Sequence, residues 1–152
     1  MPRQISIEFK DESERFIANM LDEAAPQTCS AVWDALPIDR DDARHPMYSG
    51  LGVYTMVDFR LDVVENPYVT AGAVGDVLFH ANPNKSWLFD SRPHACEIYI
   101  PYGPLLISDW AGETPLNKFA QIVEGDLTVL PAIGKRFREA GFQRMAIERI
   151  EG

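Results

Sequence analysis

Cysteine is scarce in this chain. Two in 152 residues, Cys29 and Cys96, are too few for a disulfide framework and stand at no C-x-x-C or related metal-ligand spacing, so both are expected to be reduced. The three histidines form no H-x-H or H-E-x-x-H, and no metal is expected. Long apolar runs are missing as well: none approaches the roughly 20 residues that cross a bilayer, and the opening M-P-R-Q lacks the apolar core of a signal peptide. A cytoplasmic location and no membrane partner are the corresponding expectations. Basic residues are the minority, 14 against 23 acidic, giving a net charge of -9 and a pI of about 4.7. Such a chain repels phosphate backbones, so no nucleic-acid partner is expected. There is no internal repeat, low-complexity stretch or linker, and the length suits one domain spanning 1–152. Ser49, in Y-S-G-L-G, does not match G-x-S-x-G. Gly72 and Gly75 precede a strand pattern, so they read as turn glycines and not as a phosphate cradle. No cofactor is expected.

What is present is mostly strand. Residues 5–9, I-S-I-E-F, alternate strictly, with Ile5, Ile7 and Phe9 on one face. A polar turn comes next, and Phe16, Ala18 and Met20 resume the alternation, which predicts a hairpin. Cys29, Val32, Trp33 and Leu36 then stand at helical spacing behind Pro26, predicting a short amphipathic helix ended by Pro37. Asp39 to Arg44 reads as a charged loop. Met47–Asp58 and Phe59–Val64 are rich in aromatic and β-branched residues and read as strands, as does Val77–His80 after a glycine turn. In C-E-I-Y-I-P-Y, residues 96–102, Cys96, Ile98 and Ile100 share one face and Glu97 and Tyr99 the other. A loop is predicted over Gly103–Pro115 and a strand over Phe119–Gly125. Leu130, Ile133, Gly134 and Phe137 repeat helically up to Gly141, and Phe142–Ile150 closes the chain as a strand. Many short strands with one early and one late helix predict a mostly β fold: a closed antiparallel barrel whose helices plug its ends.

Four segments, in order, resemble the cyclophilins. E-A-A-P-Q-T-C-S-A-V-W (Glu23 to Trp33) is similar to the stretch in which Ala/Val-Pro-Lys-Thr leads into the first helix. G-D-V-L-F-H-A-N-P-N (Gly75 to Asn84) resembles G-x-L-S-M-A-N-x-x-P-N. A-C-E-I-Y-I (Ala95 to Ile100) falls where cyclophilins have G-S-Q-F-F-I, and F-A-Q-I-V-E-G (Phe119 to Gly125) where they have V-F-G-K-V-x-x-G. The block from Arg92-Pro93-His94 through Gly103-Pro104 looks similar to small bacterial proteins of unknown function with a cyclophilin-like barrel. The resemblance implies an eight-stranded barrel capped by two α-helices, with a cleft on one outer face. It does not carry over prolyl isomerase activity: between Asp58 and Val74 the only arginine is Arg60, and no F-M-x-Q comes after it. Nothing evident then supplies the transition-state electrostatics of isomerisation. Where cyclophilins have a neutral Gln and a Phe, this chain has Glu97 and Tyr99.

On that geometry Glu97 and Tyr99 face the cleft, with His80 beside them, and these three are the candidate catalytic residues: a carboxylate, a phenol and an imidazole able to orient a substrate or exchange a proton. The competing readings are a solvated cross-strand glutamate and a turn histidine bonded to backbone. Asn82, Trp87, Arg92, Tyr102, Asn117 and Phe119 are the candidate ligand-binding residues. A cleft walled by Tyr99, Trp87 and Phe119 would raise the Glu97 pKa by desolvation, whereas Arg92 or His80 would lower it, and both require Glu97 in the cleft. His45 and His94 read as surface loop residues, Cys29 and Cys96 as small hydrophobes, Lys135, Arg136 and Arg138 as a solvated helix face, and most tyrosines as core or cap. Trp110 stands with Trp87 in polar loops flanking the cleft. The expected function is binding or turnover of a small metabolite, without prolyl isomerisation. The alternative is a peptide or protein binding module on a degenerate isomerase fold. A small-molecule ligand is the expected partner, and a homodimer is left open.

Overall fold

The structure, a computed structural model, describes residues 1–68, 74–81, 96–109, 112–113 and 116–151. Strands β1 (Gln4–Phe9) and β2 (Glu14–Met20) form the expected hairpin, and α1 (Pro26–Ala35) comes after them. Next come β3 (Ile38–Ala43), β4 (Gly50–Met56), β5 (Pro67–Tyr68), β6 (Asp76–His80) and β7 (Glu97–Leu105). The chain ends with β8 (Ser108–Asp109), β9 (Gly112–Glu113), β10 (Leu116–Glu124), α2 (Leu130–Ala140) and β11 (Gln143–Ile150). Eight strands run antiparallel in the order β3-β11-β1-β2-β10-β6-β7-β4, with β5 paired to β10 and β8–β9 a separate hairpin.

The sheet curls but does not close, which corrects the expected closed barrel. Its end strands, β3 and β4, share no ladder: Arg44 and Tyr54 exchange backbone hydrogen bonds of 2.9 and 2.8 Å, and the seam has no other bridge among the described residues. β3 itself corrects the predicted charged loop. Its I-D-R-D-D-A buries only the two ends, Ile38 and Ala43, and pairs one side with β11. Charged side chains on the other side blunt an edge strand, a role that masks its β character in the sequence. The strand expected over Phe59–Val64 is irregular instead, and β7 runs on to Leu105 where a loop was expected.

The alternating sets do form the core. Ile5, Ile7, Phe9, Phe16, Val77, Phe79, Ile98, Ile100 and Phe119 line the inner face of the sheet. Helix α2 inserts Ile133 and Phe137 at one end, the Phe137 ring standing edge-on to Phe9 at 5.8 Å. Gly134 is required there, since a Cβ would lie 2.3 Å from the Tyr102 ring. Helix α1 packs on β10, the Cys29 thiol donating to the Phe119 carbonyl at 3.3 Å. Burial pushes the pKa of that thiol up to about 12, so it stays a protonated, small hydrophobe. No helix among the described residues is long and apolar enough to cross a membrane.

The N-terminus of α1 shows how the irregular segment before β5 is held. The helix has Pro26 at its first position and Ala25 as a cap without a side-chain acceptor. Glu65 supplies the acceptor from a distance, taking hydrogen bonds from the amides of Gln27 (3.1 Å) and Thr28 (2.7 Å) and from the Thr28 hydroxyl (2.8 Å). Burial favours the protonated carboxyl, but these donors outweigh it and hold the Glu65 pKa below the usual carboxylate range. The stabilisation is therefore complete above the unfolded value of about 4.3 and lost as pH falls through the depressed folded value. Glu65→Ala is expected to cost about 1 kcal/mol at pH 7. In urea unfolding measured across pH, its gap to wild type should shrink once wild-type Glu65 is protonated. A gap independent of pH would mean that the carboxylate charge does not cap α1.

Candidate functional site

Antiparallel register places directly opposed residues on the same face of a sheet. His80 of β6 is opposed to Glu97 of β7, which is opposed to Met56 of β4. One step along, Leu78, Tyr99 and Tyr54 form the next row. Because Val77, Phe79, Ile98 and Ile100 point into the core, both rows stand on the opposite, outer face. Leu105, Ile107 and Leu116 complete an apolar cluster there with Leu78 and Tyr99.

The three candidate catalytic residues meet on this face. The His80 imidazole, 2 % exposed, places Nδ1 2.8 Å from Oε1 of Glu97, whose side chain is 15 % exposed. The Tyr99 hydroxyl donates to the same oxygen at 3.5 Å. Tyr99 stacks on Tyr54 with ring centroids 4.8 Å apart, and the His80 ring stands at 66° to it. Desolvation, then the nearby Glu97 carboxylate, push the Tyr99 phenol well above its ordinary range, so it remains a proton donor. One carboxylate oxygen thus orients an imidazole and accepts from a phenol. The contact with Glu97 fixes the orientation of the imidazole ring on this face.

The structure sends the other described candidates elsewhere. Phe119 does not wall this face: it is fully buried in the core, edge-on to Phe79 at 6.4 Å. Asn117 shares the inner face. Its Nδ2 donates to the Val63 carbonyl (2.8 Å) and the Thr28 hydroxyl (3.3 Å), and its Oδ1 accepts from the Glu65 amide (3.0 Å). Tyr102 lies against α2, where its hydroxyl donates to Nε2 of His45 at 2.6 Å while His45 Nδ1 bonds the Pro46 carbonyl. His45 is therefore half-buried and not a surface loop histidine, and its burial lowers its pKa and keeps it a neutral acceptor. Asn82, Trp87, Arg92, His94 and Trp110 lie outside the described residues.

Sequence reasoning missed the Thr28–Glu65–Asn117 network and the His45–Tyr102 pair, since neither set of partners is close in sequence or periodic. Among the described residues no group of three or more His, Cys, Asp or Glu side chains is placed to hold a metal ion.

Comparison with known proteins bears on the fold. The chain superimposes on the structure described as McbB in complex with tryptophan, with a TM-score of 0.69 and 16% identity, over 97% of this chain and 45% of McbB. It thus spans less than half of that protein. The solution structure of the hypothetical protein AF2241 from Archaeoglobus fulgidus matches with a TM-score of 0.61 and 21% identity, over 98% of this chain and 95% of the other. At these identities the likeness is one of fold alone. No curated protein sequence matches this chain. The chain belongs to the family described as protein of unknown function (DUF3830), which it matches over residues 6–148.

Proposed function

We propose that this member of the DUF3830 family binds a small metabolite on the outer face of β6, β7 and β4, with Glu97, His80 and Tyr99 as its polar anchors. The observation that carries the reading is the 2.8 Å contact of a nearly buried histidine with a carboxylate on a face that also presents a buried phenol. Polar groups desolvated beside apolar walls are characteristic of ligand sites. The tryptophan bound by McbB, a protein of similar fold, supports a small-molecule occupant in general and not tryptophan in particular. We read this face as the counterpart of the outer cleft that the cyclophilin resemblance implies, and residues 1–152 as one such domain. Proton transfer through His80 is the chemistry the trio supports if the bound molecule is turned over. Prolyl isomerisation is not part of the reading.

Thermal-shift screening with metabolite mixtures tests it. A stabilising compound should lose about ten- to hundredfold in affinity on Glu97→Gln, the worth of a charge-assisted hydrogen bond in a desolvated site. A compound that stabilises wild type and Glu97→Gln equally would count against these anchors.

The alternative, a peptide or protein module, draws on a different surface. Met47, Tyr48, Leu51 and Leu106 are large apolar side chains left exposed, and the Leu106 amide bonds the Ser49 carbonyl at 2.7 Å, joining the two segments. Contiguous exposed apolar surface suits a protein partner better than a small molecule.

A further inference from the structure

The open seam between β3 and β4 is itself a cavity. Continuing the antiparallel register from the Arg44–Tyr54 bridge sets Asp42 opposite Met56 and Arg40 opposite Asp58. In place of a backbone ladder, the Arg40 Nη1 to Asp58 Oδ1 contact of 3.1 Å crosses the gap. Behind it lies a space of about 730 Å³, within the range of small-ligand sites. None of His80, Glu97 or Tyr99 lines it, but Met56, which stands opposite Glu97, does, so the seam adjoins the outer-face site at that side chain while its charged groups are different ones.

The lining has an apolar part and a charged part. Pro37, Ile38, Met56, Val57 and Phe59 form the first, with the Phe59 ring held by stacking on Phe79 at 5.5 Å and 13°. Asp39, Asp41 and Asp58 face Arg40 and Arg144 in the second. Both guanidinium groups are already gripped by carboxylates. Arg40 gives Nε and Nη2 to Asp42 at 2.8 Å each, and Arg144 gives Nε and Nη2 to Asp39 at 2.9 and 2.7 Å. An anionic guest would have to displace a carboxylate from a bidentate fork. A cation meets the reverse situation, because Asp41 is exposed and makes no ion pair with a described residue, and among the described lining residues three carboxylates stand against two guanidinium groups. The net charge of -9 adds an attraction for cations over the whole surface.

We propose that the seam cavity binds a small organic cation, a primary amine carried on an apolar body. The ammonium sits at the Asp41 rim and the body lies against the partly buried Met56 and Phe59.

Amide chemical-shift titration with phenethylamine tests this, with 2-phenylethanol and 3-phenylpropionate as neutral and anionic counterparts. The amine should give saturable shifts centred on Ile38–Asp41 and Met56–Phe59, the alcohol weaker ones and the acid none. Asp41→Asn should weaken the amine about two- to fivefold, the range of one exposed ion pair. Asp41→Lys, which reverses a charge at an exposed position, should weaken it about tenfold or more, and 0.5 M salt, at which the Debye length is only ~4–5 Å, should weaken it in wild type. Equal shifts from the three compounds, shifts centred elsewhere, no saturation at millimolar amine, or unchanged affinity in both Asp41 variants would each overturn the proposal.

Discussion

Phe119→Ala is expected to lower stability by about 3–5 kcal/mol, a large share of the 5–15 kcal/mol typical of a domain. The ring is fully buried and stands edge-on to Phe79, while its carbonyl accepts from the Leu21 amide at 2.7 Å and from the Cys29 thiol. Truncation therefore leaves a cavity between β10, β6 and α1 in a framework held by backbone bonds, which limits collapse into it. In urea unfolding the midpoint should fall at unchanged slope. Because the ring is on the inner face, a ligand that binds at Glu97 should keep its affinity in the folded fraction. Loss of that affinity without loss of stability would place Phe119 at the outer site after all, and would refute the packing described.

Asn117→Leu is expected to cost about 2–4 kcal/mol. Leucine is close to asparagine in volume, so the cost is not a cavity. It strips partners from the Glu65 amide and the Val63 carbonyl, while the Thr28 hydroxyl keeps its bond to the Glu65 carboxylate, and each buried group left unsatisfied costs about 1–3 kcal/mol, less where the half-exposed 63–65 segment lets water in. Because Glu65 also caps α1, loss should spread beyond β10: hydrogen exchange should quicken at Glu65 and at Gln27 and Thr28 together. Faster exchange at Glu65 alone would show that the network does not couple the segment to the helix. A stability change below about 0.5 kcal/mol, the level of an ordinary surface substitution, would show that Asn117 is not the hub of this segment.

The inward placement of Phe119 and Asn117 marks what a sequence can decide. Ile5, Ile7 and Phe9, or Ile98 and Ile100, declare a buried face by period-two alternation, and Cys29 and Val32, or Ile133 and Phe137, declare one by helical spacing, because such patterns are local and a one-residue shift would turn every side chain to the wrong side. The same alternation put Glu97 and Tyr99 together opposite the core, and that grouping needed no tertiary information. Their meeting with His80 depended on β6 pairing with β7, which was suggested by resemblance and not by pattern. Pairing also decided everything the sequence left open. β3 is a strand because β11 offers it a partner, although I-D-R-D-D-A has the composition of a loop. The sheet stays open because β3 and β4 meet at a single bridge. Asn117 and Phe119 belong to the interior because β10 pairs with β6 in a register that sets Asn117 against Phe79. Polarity alone could not reveal this, since a buried amide with three satisfied hydrogen bonds and a ligand-binding amide are the same residue type in one dimension. Local periodicity settles which side chains share a face; only the long-range hydrogen-bond partners of each strand settle which face is the inside.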